Sequence, residues 1–219
     1  MSDADLDCAG ADRQTSVLVV SAPSGTGKST ILHRLVERLG QIRFSISHTT
    51  RNPRVGERDG VQYYFSTREA FDVEIRTGRF LEWAEVHGNL YGTSRDEYER
   101  AEHDGLDLLL DLDVQGARQV RAQIPDALTV FILPPSYQVL EARLRGRAAD
   151  PDSAIRRRLS RALGEARLYG EYDHVLVNDK IESCVDQLCG ILQAGRSRTR
   201  YVDRRARAIL KTFPVAEEG

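Results

Sequence analysis

The sequence predicts an α/β fold, in which a doubly wound parallel sheet is flanked by helices. Three segments, residues 17–20, 108–110 and 128–132, are almost entirely apolar and lack the alternation of a strand that is exposed on one face. Strands of this composition are usually buried on both faces, as in a parallel sheet between two helical layers. Segments with helical spacing of apolar residues lie between them, which gives the β-α-β order of such a fold.

The elements follow this order with one interruption. After the first strand, apolar residues recur at helical spacing between residues 31 and 39, and Gly40 ends that helix. From residue 48 to residue 94, an arginine-rich loop and two strand-like segments break the rhythm, which indicates a small inserted lobe. The βα order then resumes, and the last strand and the last helix are predicted at residues 174–177 and 181–192.

The length of 219 residues favours one core with inserted parts over several domains. A strongly basic pair of helices follows the strand at residues 128–132, and arginines are frequent again after residue 195. The predicted parts are a disordered acidic tail (1–15), one domain (16–195) that contains the inserted lobe (48–94) and the helical pair (135–165), and a basic C-terminal tail (196–219).

Composition excludes several classes of protein. The net charge of −2 argues against a dedicated nucleic-acid partner. The acidic N-terminus lacks the features of a signal peptide and no apolar run is long enough to cross a membrane, so we expect a cytoplasmic protein without a membrane contact. Three cysteines without a C-x-x-C pair disfavour a disulfide framework and structural zinc, and we expect reduced thiols.

The turn between the first strand and the first helix has the sequence SAPSGTGKST (residues 21–30). Gly25 and Gly27 allow the backbone to bend around a polyphosphate, and the amides at the start of the helix supply donors to it. Lys28 would reach the outer phosphates, and the Ser29 hydroxyl would bind Mg²⁺. This is the Walker A pattern, with Ala22 in place of its first glycine, and it predicts a P-loop core. The residues predicted to bind ATP here are Ala22, Pro23, Ser24, Gly25, Thr26, Gly27, Lys28, Ser29 and Thr30.

Further segments of the chain closely resemble guanylate kinases over roughly residues 16–193. They are SHTTRNPRVGE (47–57) with Gly60 and Tyr63, EWA (82–84), GNLYGT (88–93), DLDVQG (111–116), the arginines of 143–158, and VND (177–179). The resemblance implies transfer of the γ-phosphoryl group of ATP to GMP, with Mg²⁺. It also implies that the inserted lobe binds GMP, with dGMP as a further acceptor, and that the helical pair is a mobile lid.

The acceptor residues are predicted from both chemistry and resemblance. Arg51 and Arg54 lie in a donor-rich loop, and their planar guanidinium groups suit a phosphate, which they would hold with Ser47 and Tyr63. Guanine presents two adjacent N–H donors beside a carbonyl, so a carboxylate and a hydroxyl suffice to recognise it, and the predicted pair is Glu82 and Thr93. By resemblance, Tyr91 also contacts the phosphate and Asp111 lies on the GMP side of the cleft.

The remaining site residues are expected around the transferred phosphoryl group. Lys28 and Arg51 would act together with three arginines of the helical pair that the resemblance selects, Arg143, Arg147 and Arg158. Ala148 stands where a glycine often follows Arg147 in the family. The resemblance places Asn178 in the adenine pocket. Ser29 is the predicted Mg²⁺ ligand, with Asp111 or Asp113 nearby, and the sequence does not decide between these two acids.

Two alternatives of other classes stay open. The first is a GTP-operated switch, because residues 113–116 have the D-x-x-G pattern that occurs in such proteins. Against it, the N-K-x-D motif that recognises guanine is absent, since NDK (178–180) has similar letters in the wrong order. A non-catalytic scaffold with a guanylate-kinase-like domain would be expected to have lost the phosphate loop, which is present here. The sequence does not decide the oligomeric state or the role of the basic tail.

Overall fold

Five parallel strands form the central sheet, in the order β2-β7-β1-β8-β9. The computed structural model describes residues 14–86, 88–146 and 151–213. All five strands of this sheet run in the same direction, so the predicted α/β fold with a parallel sheet flanked by helices is confirmed. The strands are β1 (Val17–Ser21), β2 (Ile42–Phe44), β7 (Asp107–Asp111), β8 (Leu128–Leu133) and β9 (His174–Val177).

Alternate residues of β1 enter two separate apolar clusters, one on each face of the sheet. Leu18 and Val20 pack in a cluster with helices α1 and α7, whereas Val17 and Val19 pack in a second cluster with α3 and α4. Every residue of β1 is buried, which accounts for the apolar run at residues 17–20. The four helices are α1 (Lys28–Leu39), α3 (Arg95–His103), α4 (Val114–Gln123) and α7 (Ile181–Arg196).

A second sheet of four strands, in the order β4-β3-β6-β5, occupies the predicted inserted lobe. Its small core contains Phe71, Phe80 and Leu90, and the rings of Phe71 and Phe80 stack with centroids 4.4 Å apart. The first of the two strand-like segments of the lobe, residues 61–65, forms a shorter strand than its composition predicts, because only its last two residues pair with β3. The elements are β3 (His48–Thr49), β4 (Tyr64–Phe65), α2 (Arg68–Arg76), β5 (Phe80–Val86) and β6 (Asn89–Ser94).

The predicted helical pair corresponds to α5 (Tyr137–Arg145) and α6 (Asp152–Ala166). These helices share an apolar cluster of their own, which includes Leu140, Leu144 and Leu159. Arg147, which the sequence selects as a catalytic residue, and Ala148 lie outside the described residues.

A further helix, α8 (Thr199–Leu210), follows α7 within the predicted basic tail. Tyr201 of α8 is buried, and Arg196 at the end of α7 pairs with the buried carboxylate of Asp107 at 2.6 Å. At the other terminus, Thr15, the last residue of the predicted acidic tail, is already buried. Over the described ranges, no helix combines the length and apolar composition that crossing a bilayer requires.

Candidate active site

The phosphate loop connects β1 to α1 and depends on its two glycines. Gly25 and Gly27 have φ of 92° and 98°, in the left-handed region that side chains other than glycine rarely adopt. A Cβ atom on Gly27 would lie 2.9 Å from Nδ2 of Asn178, and one on Gly25 would lie 2.8 Å from Leu144. Both positions therefore favour glycine for the turn, and a larger residue at either one would also displace a side chain that packs over the loop.

The main-chain carbonyl of Thr26 fixes this loop to two distant parts of the chain. It accepts hydrogen bonds from Nδ2 of Asn178 at 2.7 Å and from Nη1 of Arg143 at 3.0 Å. Arg143 also donates to the carbonyl of Asn178 at 3.3 Å. In this structure Arg143 thus holds the loop through its backbone, and its predicted contact with the phosphoryl group stays a prediction. Ala22, the departure from the Walker A pattern, packs its side chain against the cluster on the α1 face.

Lys28, the first residue of α1, extends to the carboxyl end of β7. Its Nζ forms an ion pair with Asp111 and donates to the carbonyl of Leu112 at 3.3 Å. Asp113, two residues after Asp111, caps α4 by accepting from the Gly116 amide at 2.9 Å. The two acids that the sequence could not separate therefore have different partners.

A cavity of about 530 Å³ lies over the phosphate loop, and residues of α6 form part of its wall. Arg158 lines it and donates to the Ser24 hydroxyl at 3.5 Å. Arg161 also lines it and forms an ion pair with Glu165 at 3.0 Å. We call this space the donor cavity. Its lining includes Ser21, Ala22, Pro23, Ser24, Gly25, Thr26, Gly27, Lys28, Ser29, Asp113, Val114 and Phe131.

In the inserted lobe, Arg51 is held by the Glu57 carboxylate and by the rings of Tyr63 and Phe65. Its Nη2 donates to both oxygens of Glu57, at 2.9 and 3.0 Å, and its guanidinium carbon lies 5.3 Å from the Tyr63 ring centroid. The Tyr63 ring in turn contacts that of Tyr91, with centroids 6.0 Å apart. The hydrogen bond to Arg51 lowers the pKa of Glu57, and the same bond raises the pKa of Arg51. Three of the predicted phosphate-binding residues therefore lie together.

The other two predicted phosphate-binding residues lie nearby. The Arg54 amide donates to Oε2 of Glu57 at 2.7 Å, while the rest of this residue is exposed. Ser47 is half-buried, and its carbonyl accepts from the Tyr64 amide at 3.0 Å, which fixes the entry to β3.

Glu82 and Thr93 are paired across β5 and β6 and both are buried. The Thr93 hydroxyl donates to Oε1 of Glu82 at 2.7 Å. Burial raises the pKa of Glu82 to about 7, although the hydrogen bond from Thr93 opposes this shift. The other carboxylate oxygen lies against α4, because a Cβ atom on Gly116 would be only 2.8 Å from it. A buried carboxylate without a cationic partner among the interactions described is a strong candidate for substrate recognition.

Several residues of this site were missed by sequence reasoning. Glu57 is the last residue of the SHTTRNPRVGE motif (47–57), but nothing in the pattern indicates that it pairs with Arg51. Arg161 is not among the arginines of the helical pair that the sequence selects, yet it lines the donor cavity. The helical spacing of Gly116, Gln119 and Gln123 on α4 could have indicated a common face, and all three contact β5.

Comparisons with known proteins agree with this geometry. The guanylate kinase family model matches residues 14–195. The chain is 48% identical over 203 residues to the guanylate kinase of Aromatoleum aromaticum, covering 93% of this chain and 98% of that one. It is 47% identical over 197 residues to the guanylate kinase of Alcanivorax borkumensis, covering 90% and 95%. The crystal structure of guanylate kinase from Anaplasma phagocytophilum superposes with a TM-score of 0.73 at 34% identity, covering 93% and 97%. This chain belongs to the guanylate kinase family.

Proposed function

We propose that this protein transfers the γ-phosphoryl group of ATP to GMP, giving ADP and GDP. Residues of the phosphate loop, the inserted lobe and the helical pair would bind the two nucleotides and align them. The proposal rests on one observation, the buried Glu82–Thr93 pair in the lobe beside a P-loop. Among the common nucleobases, guanine offers two adjacent N–H donors next to a carbonyl oxygen. The ionised Glu82 would accept from both N–H groups, and the Thr93 hydroxyl, which donates to Glu82 in the free protein, would turn to donate to the carbonyl oxygen of the base.

Phosphoryl transfer needs alignment of two anions and compensation of their charge more than it needs covalent chemistry. On the donor side, the loop amides and Lys28 would bind the phosphates of ATP, and Arg158 would contact them from the lid. On the acceptor side, Glu57 and Tyr63 hold the Arg51 guanidinium in place before the substrate arrives, so less ordering is needed on binding. Tyr91, Ser47 and Arg54 complete the proposed phosphate site.

The helical pair is proposed to act as the lid. Arg143 connects it to the phosphate loop, because one guanidinium bonds the carbonyls of both Thr26 and Asn178. Closure would exclude water and so favour transfer to GMP over hydrolysis. The predicted roles of Arg143 and Arg147 at the phosphoryl group, and that of Asn178 at adenine, belong to this proposal. Oδ1 of Asn178 is buried without a hydrogen-bond partner in the described structure.

The residues beside the phosphate loop fit a magnesium ion that is held mainly by the nucleotide. No group of three or more His, Cys, Asp or Glu is arranged for a metal within residues 14–86, 88–146 and 151–213. Mg²⁺ is commonly bound through one or two protein ligands together with substrate phosphates and water. Ser29 and Asp113 line the donor cavity, whereas Asp111 is engaged by Lys28, so we assign Asp113 as the nearer acid. When bound, Mg²⁺ neutralises phosphate charge.

The proposal is tested by incubating the purified protein with ATP, Mg²⁺ and each of GMP, AMP, CMP and UMP, and measuring ADP. GMP is expected to be the preferred acceptor by a wide margin, and EDTA is expected to abolish turnover. Turnover with another nucleotide in place of GMP would contradict the assignment of the base. Tight retention of GTP without turnover of GMP would favour the switch alternative, and a silent protein that binds phosphopeptides would favour the scaffold.

A further inference from the structure

Helix α4 connects the two halves of the site. Its N-cap, Asp113, lines the donor cavity. Gly116, Gln119 and Gln123 follow at spacings of three and four residues, which places them on one face of the helix. This face is turned towards β5, since the Gly116 position touches the Glu82 carboxylate and both glutamines bond the β5 main chain.

Two side chains of α4 form hydrogen bonds to the main chain of β5 along an edge where a neighbouring strand could otherwise pair. β5 is the outermost strand of its sheet, so one of its edges has no strand partner in the part of the chain that the structure describes. Oε1 of Gln119 accepts from the amide of Trp83 at 3.1 Å, and its Nε2 donates to the carbonyl of Trp83 at 2.8 Å. Nε2 of Gln123 donates to the carbonyl of Leu81 at 2.7 Å. The two glutamines therefore fix the residues on either side of Glu82.

We propose that Gln119 is a positioning residue for guanine specificity. By bonding the main chain of Trp83, it fixes the position of the neighbouring Glu82 relative to α4 and therefore relative to the donor cavity. This inference rests on the proposed role of Glu82 in recognising guanine. Gln119 itself is not expected to touch a substrate. Its amide group bonds both main-chain polar groups of one residue, Trp83, which a single-point contact from another side chain would not do.

The location of these bonds makes the positioning role separable from folding. Trp83 is 39% exposed, so water can replace the bonds to its main chain if Gln119 is removed. The protein is therefore expected to fold without this side chain. Without Gln119, the Glu82 carboxylate would be held less precisely, and small displacements of a group that recognises the substrate reduce specificity strongly.

The test compares GMP with inosine monophosphate, whose base lacks the exocyclic amino group of guanine. The ratio of kcat/KM for GMP to kcat/KM for inosine monophosphate measures how well Glu82 binds the exocyclic amino group. A fraction of inactive protein in the sample lowers both values equally and leaves this ratio unchanged. Gln119→Met, which keeps the length of the side chain, is expected to lower this ratio about tenfold, as the loss of roughly one to two hydrogen bonds would. The KM for ATP is expected to change by less than about twofold.

Three further variants complete the design. Gln193→Met changes an exposed glutamine of α7 and is expected to leave the ratio unchanged. Gln123→Met removes the bond on the other side of Glu82 and is expected to lower the ratio as well, which keeps the test open if Gln119→Met does not fold. In the double variant Glu82→Gln/Gln119→Met, the ratio is expected to equal that of Glu82→Gln alone, because Gln119 acts through Glu82.

The outcomes separate this inference from the proposed function. If Glu82→Gln lowers the ratio while folded Gln119→Met and Gln123→Met leave it unchanged, the positioning role is wrong and guanine recognition by Glu82 stands. If Glu82→Gln leaves the ratio unchanged, the proposed role of Glu82 fails, and the positioning role fails with it. Additive losses in the double variant would show that Gln119 acts independently of Glu82 and would also overturn the inference.

Discussion

Replacing Glu82 by glutamine is expected to stabilise the free protein at alkaline pH while it impairs the use of GMP. Burial raises the pKa of this carboxyl from an ordinary value of 4.5 to about 7. Because folding raises the pKa, the contribution of Glu82 to stability is fully present below about pH 4.5 and is lost as the pH rises through about 7. At pH 8 the folded protein therefore contains a buried, ionised carboxylate that opposes folding.

The size of this effect follows from the pKa shift. About 2.5 pKa units separate the two values, and each unit corresponds to about 1.4 kcal/mol. Most of the interval between these two pKa values lies between pH 5 and pH 8. The ionisation of Glu82 should therefore lower the free energy of unfolding by about 2–3 kcal/mol from pH 5 to pH 8. Glutamine is uncharged and cannot show this loss, although it has nearly the same shape.

Urea unfolding of the wild type and of Glu82→Gln at pH 5 and pH 8 tests this reasoning. Relative to the wild type, the variant should be about 2–3 kcal/mol more stable at pH 8 than at pH 5. Glu37→Gln, which changes an exposed carboxylate of α1, should show no such dependence. An equal difference between Glu82→Gln and the wild type at both pH values would refute the claim that burial of this carboxyl opposes its ionisation.

Three other substitutions have defined outcomes. Thr93→Val removes a hydrogen bond that lowers the pKa of Glu82, so the rise of kcat/KM for GMP with pH should move to higher pH, and an unshifted profile would contradict this. Lys28→Ala should lower kcat by about 10²–10³ in steady-state assays because it removes a charge from the phosphates, and a loss below about tenfold would exclude that role. Asp107→Ala leaves the Arg196 guanidinium without its buried partner and should lower the free energy of unfolding by about 3–5 kcal/mol in urea, whereas a loss below about 1 kcal/mol would mean that water compensates for the ion pair.

The sequence predicted those features that local chemistry determines. The apolar composition of β1 and β8 indicated a sheet buried on both faces, and the structure confirms it. Gly25 and Gly27 were expected at a turn, and both have positive φ. Glu82 and Thr93 could be paired in advance because guanine itself needs a carboxylate beside a hydroxyl, and the register of β5 and β6 places the two opposite each other.

Features that depend on contacts between distant segments could not be predicted. The carbonyl of Thr26 bonds Arg143 and Asn178, which lie 117 and 152 residues further along the chain. No local pattern encodes that an arginine of the lid and an asparagine after β9 meet on one carbonyl. The different partners of Asp111 and Asp113 likewise follow from how α1 and α4 pack against the sheet, so the spacing of the two acids left their roles open.

The most direct test of the account is to identify the molecule that accepts the phosphoryl group of ATP. With ATP, GMP and Mg²⁺, ³¹P NMR should show one GDP formed for each ADP, with no accumulation of inorganic phosphate. Equal amounts of ADP and inorganic phosphate without GDP would mean that water is the acceptor, and would contradict the assignment of the inserted lobe as the GMP site.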